Sequence, residues 1–216
     1  MEPAEDRLGI LFVVAAPSGT GKTTVCRRVV ADDPKIVFSV SHTTRRRRGG
    51  EKDGVDYHFT SVEEFDRMAK DGAFLEWAVY NGNHYGTSWA AIEGPLTTGR
   101  DVILEIEVQG AQQVRERRDD ARFVFLLPPS MAELGRRLTG RGTDSPDEIR
   151  SRLRRAEVEL ESIRLFDYAI FNEDLDRCVS ELESVIAAER TGSVASARER
   201  HAIDGALARF HRGGAA

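Results

Sequence analysis

The feature that most constrains the fold is the stretch GILFVVAAPSGTGKTT at residues 9–24. Residues 10–14 form a short, continuous apolar run rich in β-branched side chains, which is typical of a strand buried on both faces of a parallel sheet. A glycine-rich turn follows, and the apolar residues of VCRRVV, at 25–30, then recur at helical spacing. A strand, a tight turn and a helix in this order predict an α/β core with an anion site where the helix begins.

The turn fits the phosphate-loop pattern G-x-x-x-x-G-K-[ST]. Gly21, Lys22 and Thr23 supply its last three positions, whereas Ala16 stands at the first glycine position, where alanine is accepted if its φ is negative. In such a loop backbone N–H groups surround phosphate oxygens, the lysine reaches the β and γ phosphates, and the hydroxyl binds Mg²⁺. The alternative is a coincidental GKT at a helix start, which the flanking strand and helix disfavour. The residues predicted to bind the nucleotide here, which the resemblance described below implies to be ATP, are Ala16, Pro17, Ser18, Gly19, Thr20, Gly21, Lys22, Thr23 and Thr24.

Further apolar runs like the first recur along the chain, as VILEI at 102–106, FVFLL at 123–127 and YAIF at 168–171. Segments with helical spacing alternate with these runs. They include residues 111–117, 131–138 and 178–188. This alternation predicts an α/β fold of the P-loop NTPase type, an open, mostly parallel sheet flanked by helices.

Two stretches interrupt the alternation. Residues 39–95 are rich in Gly, Tyr, His and Arg with short alternating segments, which indicates a small inserted lobe. Residues 139–155 are dense in charge and contain Gly140 and Gly142, a composition typical of a mobile lid. We expect one domain over residues 8–190 that contains both.

The end of the chain, residues 191–216, is predicted to be a linker and a helical tail. TGSVASA, at 191–197, is a stretch of small residues. Ile203, Leu207 and Phe210 follow at i, i+4 and i+7, an apolar stripe that must dock on this chain or on a partner. The tail therefore leaves a homo-oligomer open.

Composition limits the classes of partner. The formal net charge of −5 over 216 residues gives no overall attraction to nucleic acid or to an anionic membrane. Cys26 and Cys178 have no CxxC spacing, which argues against a disulfide framework and a zinc site. No apolar run approaches the ~18 residues that cross a bilayer, and MEPAEDR is the wrong flank for a secretory signal. We expect a cytoplasmic protein that binds neither nucleic acid nor membrane.

Four further segments closely resemble the motifs of guanylate kinases, in the same order and at the same spacing. They are SVSHTTRRRRGGEKDGVDYHF at 39–59, AFLEWAVYNGNHYGTS at 73–88, LEIEVQGAQQV at 104–114 and LPPSMAELGRRLTGRGTDSPDEIRSRL at 127–153. The resemblance covers roughly residues 8–190 and is far more specific than a phosphate loop alone. It implies transfer of the γ-phosphoryl group of ATP to GMP, and to dGMP, to give ADP and GDP in purine nucleotide metabolism. It also implies a core with a GMP-binding lobe and a lid.

The resemblance places two groups of residues around GMP. Arginine and tyrosine suit a phosphate dianion, and a carboxylate such as Glu76 suits the two donors on the pairing edge of guanine. The alternative for Glu76 is a structural pairing with an arginine or a backbone amide. The residues expected near the phosphate are Arg45, Arg48, Tyr57 and Tyr85, and those expected near guanine are Ser41, Glu76, Thr87 and Glu107. Arg47 stands where the family usually has proline, and we assign Arg46 and Arg47 to solvent.

The resemblance also implies the catalytic residues, which are Lys22, Arg45, Arg137, Arg141 and Arg152. The lid arginines would close on phosphates whose charge is spread over equatorial oxygens in a loose transition state. We expect them to lack partners until nucleotide arrives, and we expect other lid arginines, such as Arg150, to pair with surface acids.

Three further residues have alternatives that remain open. Thr23 and, through water, Glu105 are the expected Mg²⁺ ligands, although Glu105 and Glu107 also fit an exposed strand face. Asn172 corresponds to a family asparagine near the adenine, and a strand-end turn explains it almost as well.

Two other functions remain alternatives. A guanylate kinase-like binding module would keep the fold without turnover, and retention of Lys22 and Thr23 argues against it. A sister kinase acting on a sugar phosphate would have no use for Ser41 and Glu76.

Overall fold

The computed structural model describes residues 7–80, 82–140, 142 and 144–213. The strands within this part of the chain are β1 (Leu11–Ala15), β2 (Ile36–Phe38), β3 (His42–Thr43), β4 (His58–Phe59), β5 (Phe74–Tyr80), β6 (Asn83–Ser88), β7 (Asp101–Glu105), β8 (Arg122–Leu127) and β9 (Tyr168–Phe171). The helices are α1 (Lys22–Asp32), α2 (Val62–Lys70), α3 (Trp89–Thr97), α4 (Val108–Arg117), α5 (Met131–Gly140), α6 (Pro146–Glu161), α7 (Leu175–Thr191), α8 (Ala195–Arg200) and α9 (Ile203–Gly213), with a 3₁₀ turn at Ser162–Leu165.

The main sheet has five strands in the order β2-β7-β1-β8-β9. The pairs β2–β7 and β8–β9 are parallel, and β1 is buried along its whole length. Burial on both faces explains why β1 and β8 are continuous apolar runs rather than alternating ones. The predicted open, mostly parallel sheet with flanking helices is confirmed, and the four predicted strands lie within one residue of their observed bounds.

A second sheet, in the order β4-β3-β6-β5, is built from the segment predicted to be an inserted lobe. Its longest pairing is the antiparallel pair β5–β6, in which Glu76 lies opposite Thr87. Helix α2 begins after Ser61, whose hydroxyl accepts from the Glu64 N–H, and it places Phe65 in a stack on Phe74 at 4.4 Å between ring centroids.

The chain forms two compact units. The lobe unit holds Pro34–Leu104 and Gln109–Ala121 together with the chain up to Phe12. The phosphate-loop unit holds Val13–Asp33, Glu105–Val108 and the chain from Arg122 onward. The predicted phosphate loop therefore belongs to one unit and most of the predicted GMP residues to the other.

The segment expected to be a lid consists of the end of α5, a short connection and the first part of α6. A capping box formed by Ser145 and Glu148 begins α6, with Pro146 in its first turn. Leu134 and Leu138 of α5 pack with Ala156 of α6 in a buried apolar cluster. The two helices thus form a hairpin with its own small core.

The tail differs from the expected linker followed by a helix. Helix α7 continues to Thr191 and ends at Gly192, which has the left-handed φ of 70°. Helix α8 already begins at Ala195, since alanine favours helix. In α9 Phe210 is buried, and the tail packs against β9 within its own unit. None of the described helices has the length and apolar character needed to span a membrane.

Candidate active site

The phosphate loop owes its shape to two glycines. Gly19 and Gly21 have φ of +97° and +98°, a region that side chains rarely adopt. A Cβ on Gly21 would also lie 2.7 Å from the Asn172 amide nitrogen. Gly21 is the N-cap of α1 and supplies no side chain to cap its N–H groups. The first turn of α1 is therefore suited to accept an anion.

Lys22 is held in place by main-chain and carboxylate oxygens. Its Nζ donates to the Ile106 carbonyl at 2.5 Å and lies 3.5 Å from Glu107 Oε1, and 12% of its side chain is exposed. Burial by itself lowers the pKa of Lys22, but the carboxylates of Glu107 and Glu105 outweigh burial and raise the pKa above its ordinary value. The ammonium is therefore fully charged at neutral pH.

Thr23 and Glu105 form a pair of oxygen donors beside Lys22. Thr23 Oγ1 donates to Glu105 Oε1 at 2.5 Å. A hydroxyl and a carboxylate suit Mg²⁺, which takes few protein oxygens and keeps several waters. The donor set fits the predicted metal role of these two residues.

Asn172 and Arg137 both bind the phosphate loop through the same carbonyl. Asn172 Nδ2 donates to the Thr20 carbonyl oxygen at 2.6 Å, and Arg137 Nη1 approaches the same oxygen at 3.3 Å. Asn172 directly follows β9, and its N–H donates to the Leu127 carbonyl. These contacts fix the peptide that precedes Gly21.

The predicted lid arginines have partners already. Arg137 Nε donates to Glu133 Oε1 at 2.9 Å, and Arg152 lies 3.1 Å from Asp144. The expectation that these two arginines lack partners before nucleotide arrives is therefore wrong, because Glu133 lies one helical turn earlier and Asp144 lies just before α6. Arg150 pairs with Asp147 as expected. The remaining predicted lid arginine, Arg141, lies outside the described residues.

In the lobe unit, the residues predicted near the GMP phosphate assemble around Arg45. Its guanidinium makes a bidentate pair with Glu51, at 2.7 and 3.1 Å, and lies 5.4 Å from the centre of the Tyr57 ring. Tyr85 packs edge-on against Tyr57, at 6.0 Å between ring centroids. Hydrogen bonding to Glu51 raises the pKa of Arg45 above its ordinary value. Arg48 is exposed, and its backbone N–H donates to Glu51 at 2.7 Å.

Three of the residues predicted near guanine meet on neighbouring strands. Ser41 Oγ and Thr87 Oγ1 lie 3.1 Å apart, and Glu76 is paired with Thr87 across β5–β6. Glu76 is 4% exposed, and this burial raises its pKa to about 7, although hydrogen bonds from Thr87 and the charge of Arg117 act in the opposite direction. Arg117 itself donates to two backbone carbonyls, at Phe74 and Leu75. The fourth predicted residue, Glu107, lies beside Lys22 in the phosphate-loop unit.

Sequence reasoning missed the carboxylates that organise these cations. Glu133 precedes Arg137 by four residues in a helical pattern, a spacing that signals an ion pair. Glu51 had no such signal, because it lies in an irregular loop six residues after Arg45. Arg46 and Arg47 are exposed, as predicted.

Comparisons with known proteins agree with this geometry. The guanylate kinase family model matches residues 9–189. A guanylate kinase of Syntrophotalea carbinolica is 50% identical over 183 residues, which cover 85% of this chain and 87% of the relative. One of Dechloromonas aromatica is 50% identical over 194 residues, covering 90% of this chain and 96% of the relative. The crystal structure of guanylate kinase from Anaplasma phagocytophilum superposes with a TM-score of 0.69 at 33% identity, over 86% of this chain and 88% of that one. The chain belongs to the guanylate kinase family.

Proposed function

We propose that this protein transfers the γ-phosphoryl group of ATP to GMP, giving ADP and GDP, and that it accepts dGMP as well. The observation that carries this proposal is the buried Glu76 beside Thr87 and Ser41, in a chain that also has the glycine, lysine and threonine of a phosphate loop at the start of α1. A carboxylate in such a setting is costly unless a ligand brings donors, and guanine brings two on one edge. Purine nucleotide metabolism follows as the context of the reaction.

ATP binds at the phosphate loop. Backbone N–H groups of the predicted loop, from Ala16 to Thr24, surround the phosphates, and Lys22 exchanges its contact with Glu107 for phosphate oxygens. Thr23 and, through water, Glu105 would hold Mg²⁺, which would supply positive charge to neutralise the phosphates of ATP. We place the adenine near Asn172.

GMP binds in the lobe formed by residues 39–95. Arg45 and Arg48 bind its phosphate together with the hydroxyls of Tyr57 and Tyr85. Ser41, Glu76 and Thr87 read the guanine, and we retain Glu107 as a further contact of GMP.

The chemistry requires positioning rather than a general base. The acceptor oxygen belongs to a phosphate monoester whose second pKa is about 6, so it is already ionised at neutral pH. Lys22, Arg45, Arg137, Arg141 and Arg152 act by stabilising the charge that spreads over the transferring group. We propose that the segment 139–155 closes over the phosphates and that Arg152 exchanges Asp144 for phosphate oxygens in doing so.

A coupled assay of ADP formation tests the proposal. With ATP and Mg²⁺ fixed, the acceptors compared are GMP, dGMP, AMP and a sugar phosphate. We expect turnover with GMP and dGMP and a rate at least about 100-fold lower with AMP, because adenine lacks the donors that Glu76 requires. Absence of GMP-dependent ADP release would indicate a binding module, and preference for a sugar phosphate would indicate a sister kinase.

A further inference from the structure

The C-terminal tail covers the edge of the main sheet. Strand β9 is the last strand in the order β2-β7-β1-β8-β9. The N–H of Ala169 in β9 donates to the carbonyl of His201, which lies between α8 and α9. The tail thereby pairs a backbone N–H that an edge strand would otherwise leave without a hydrogen-bond partner in the sheet.

Arg209 of α9 contacts both neighbours of Asn172. Its guanidinium carbon lies 4.2 Å from the centre of the Phe171 ring, and its Nη2 donates to Glu173 Oε1 at 2.6 Å. Phe171 is the last residue of β9, and Glu173 lies directly before Asp174, the N-cap of α7. One side chain of the tail therefore links the residues on either side of Asn172.

Asn172 in turn holds the phosphate loop. Its side-chain amide donates to the Thr20 carbonyl, and its nitrogen lies 2.7 Å from where a Cβ on Gly21 would be. A change in the direction of the Asn172 amide would release the peptide between Thr20 and Gly21, whose geometry sets the N–H groups offered to phosphate.

From this chain of contacts we infer that Arg209 is a positioning residue of the ATP site, which acts through Asn172 on the phosphate loop. The inference rests on the proposed function, because it assigns the loop to ATP. The Leu127 carbonyl fixes only the main chain of Asn172. The direction of its side chain depends also on the residues before and after it, and these are the two residues that Arg209 contacts. Helix α9 begins at Ile203, beyond residue 189, where the match to the family model ends.

The contribution to overall stability is small by the same observations. Arg209 and Glu173 are 45% and 39% exposed, and ion pairs at this exposure contribute little to folding. A cation over an aromatic face adds a modest further attraction. Loss of Arg209 is thus expected to affect nucleotide binding more than unfolding.

The test is the affinity of the full-length Arg209→Ala variant for ATP, measured by titration calorimetry with Mg²⁺ and, separately, as KM. We expect Kd and KM for ATP to rise about 3- to 10-fold. KM for GMP, and kcat at saturating ATP, are expected to stay within about twofold, a split that marks an effect on one substrate only. Arg209→Lys, which keeps the charge on Glu173, should recover part of the affinity.

The matched control is Asp204→Asn. Asp204 also lies on α9 and pairs with Arg164 at 2.9 Å. Within the described part of the chain, no hydrogen bond or ion pair joins either residue to the segment that carries Asn172. We expect this variant to bind ATP like the wild type. Equal changes in ATP affinity for Arg209→Ala and Asp204→Asn, or no change in either, would overturn the inference. Lack of GMP turnover by the wild type would instead refute the proposed function, and calorimetry with ATP would still test Arg209.

Discussion

The two compact units differ in the groups that surround their glutamates. In each unit a cation predicted to bind phosphate already contacts a glutamate, as Lys22 does with Glu107 and Arg45 does with Glu51. Each unit also holds a glutamate whose pKa burial raises to about 7, Glu76 in the lobe unit and Glu159 in the phosphate-loop unit. Hydrogen bonds from Thr87 and the charge of Arg117 act to lower the pKa of Glu76. The charge of Glu107 acts to raise the pKa of Glu159, whereas the charges of Lys22 and Arg155 act to lower it.

Under the proposed function, this difference separates two tasks, phosphate binding and base recognition. In that proposal, phosphates would be bound by cations whose positions are fixed before the ligand arrives, so little ordering would be needed on binding. The base would be recognised by a buried carboxylate that lacks donors until the correct base is present, which would favour discrimination between bases over tight binding of either. Variants of one cation, Lys22, and of three carboxylates, Glu76, Glu51 and Glu159, can test the comparison.

Replacement of Lys22 by Met is expected to have the largest effect. It removes the charge that reaches the phosphates and leaves Glu105 and Glu107 without their shared cation, and loss of one such electrostatic contact lowers kcat by about 10²- to 10³-fold. Steady-state kinetics with GMP measures the loss, and circular dichroism checks that the fold is retained. Wild-type kcat in Lys22→Met would contradict the assignment of the phosphate loop.

Substitution Glu76→Gln is expected to lower kcat/KM for GMP by about 10- to 100-fold, since one charged hydrogen bond to guanine contributes of the order of 1.5 to 3 kcal/mol. KM for ATP should be unchanged. If the variant keeps its selectivity for GMP over AMP, Glu76 is structural, and the guanine assignment moves to Ser41 and Glu107.

The same substitution predicts a change in pH dependence. With a pKa of about 7, Glu76 must release a proton before it accepts two donors from guanine, so KM for GMP should rise as the pH falls below about 7. Protonation of the GMP phosphate, near pH 6, affects wild type and variant alike. We therefore expect the ratio of KM for GMP in the Glu76→Gln variant to KM for GMP in the wild type to change between about pH 6 and 8. A constant ratio would show that Glu76 does not titrate in this range.

Much of this architecture could be predicted from local pattern. The strand, turn and helix of the phosphate loop have a fixed spacing, and continuous apolar runs locate β1, β7, β8 and β9 within a residue. The contacts of Arg45 with Glu51 and of Arg209 with Phe171 could not be predicted, because each depends on how a loop or a tail folds back. The small-residue stretch after residue 190 misled for a related reason, since alanine and serine occur in linkers and helices alike.

A smaller effect is expected from Glu51→Gln. Glu51 holds the Arg45 guanidinium through two hydrogen bonds and also accepts from the Arg48 N–H, so its carboxylate fixes both predicted phosphate ligands. Without the charge, these ligands lose part of their preorganisation, and we expect KM for GMP to rise about 3- to 10-fold with little change in KM for ATP. A lower KM for GMP would show instead that Glu51 competes with the phosphate for Arg45.

The smallest effect is expected from Glu159→Gln and concerns stability. Glu159 Oε2 is buried and accepts no hydrogen bond from any residue that the structure describes. Burial and then the charge of Glu107 raise its pKa to about 7 from the ordinary glutamate value of 4.5. An acid whose folded pKa is raised binds more protons in the folded state, so it lowers stability as the pH rises from about 4.5 to 7.

Glutamine cannot ionise, and the variant should therefore be the more stable protein above pH 7 and equal to the wild type near pH 4.5. Since 1 kcal/mol shifts Tm by about 2 to 4 °C in a chain of this size, and solvent screening reduces the effect at a half-buried site, we expect a difference of only about 2 to 4 °C at pH 8. Thermal unfolding at the two pH values measures it, and a variant that is less stable than the wild type at pH 8 would show that Glu159 stabilises the unit through the attraction of its charge to Lys22.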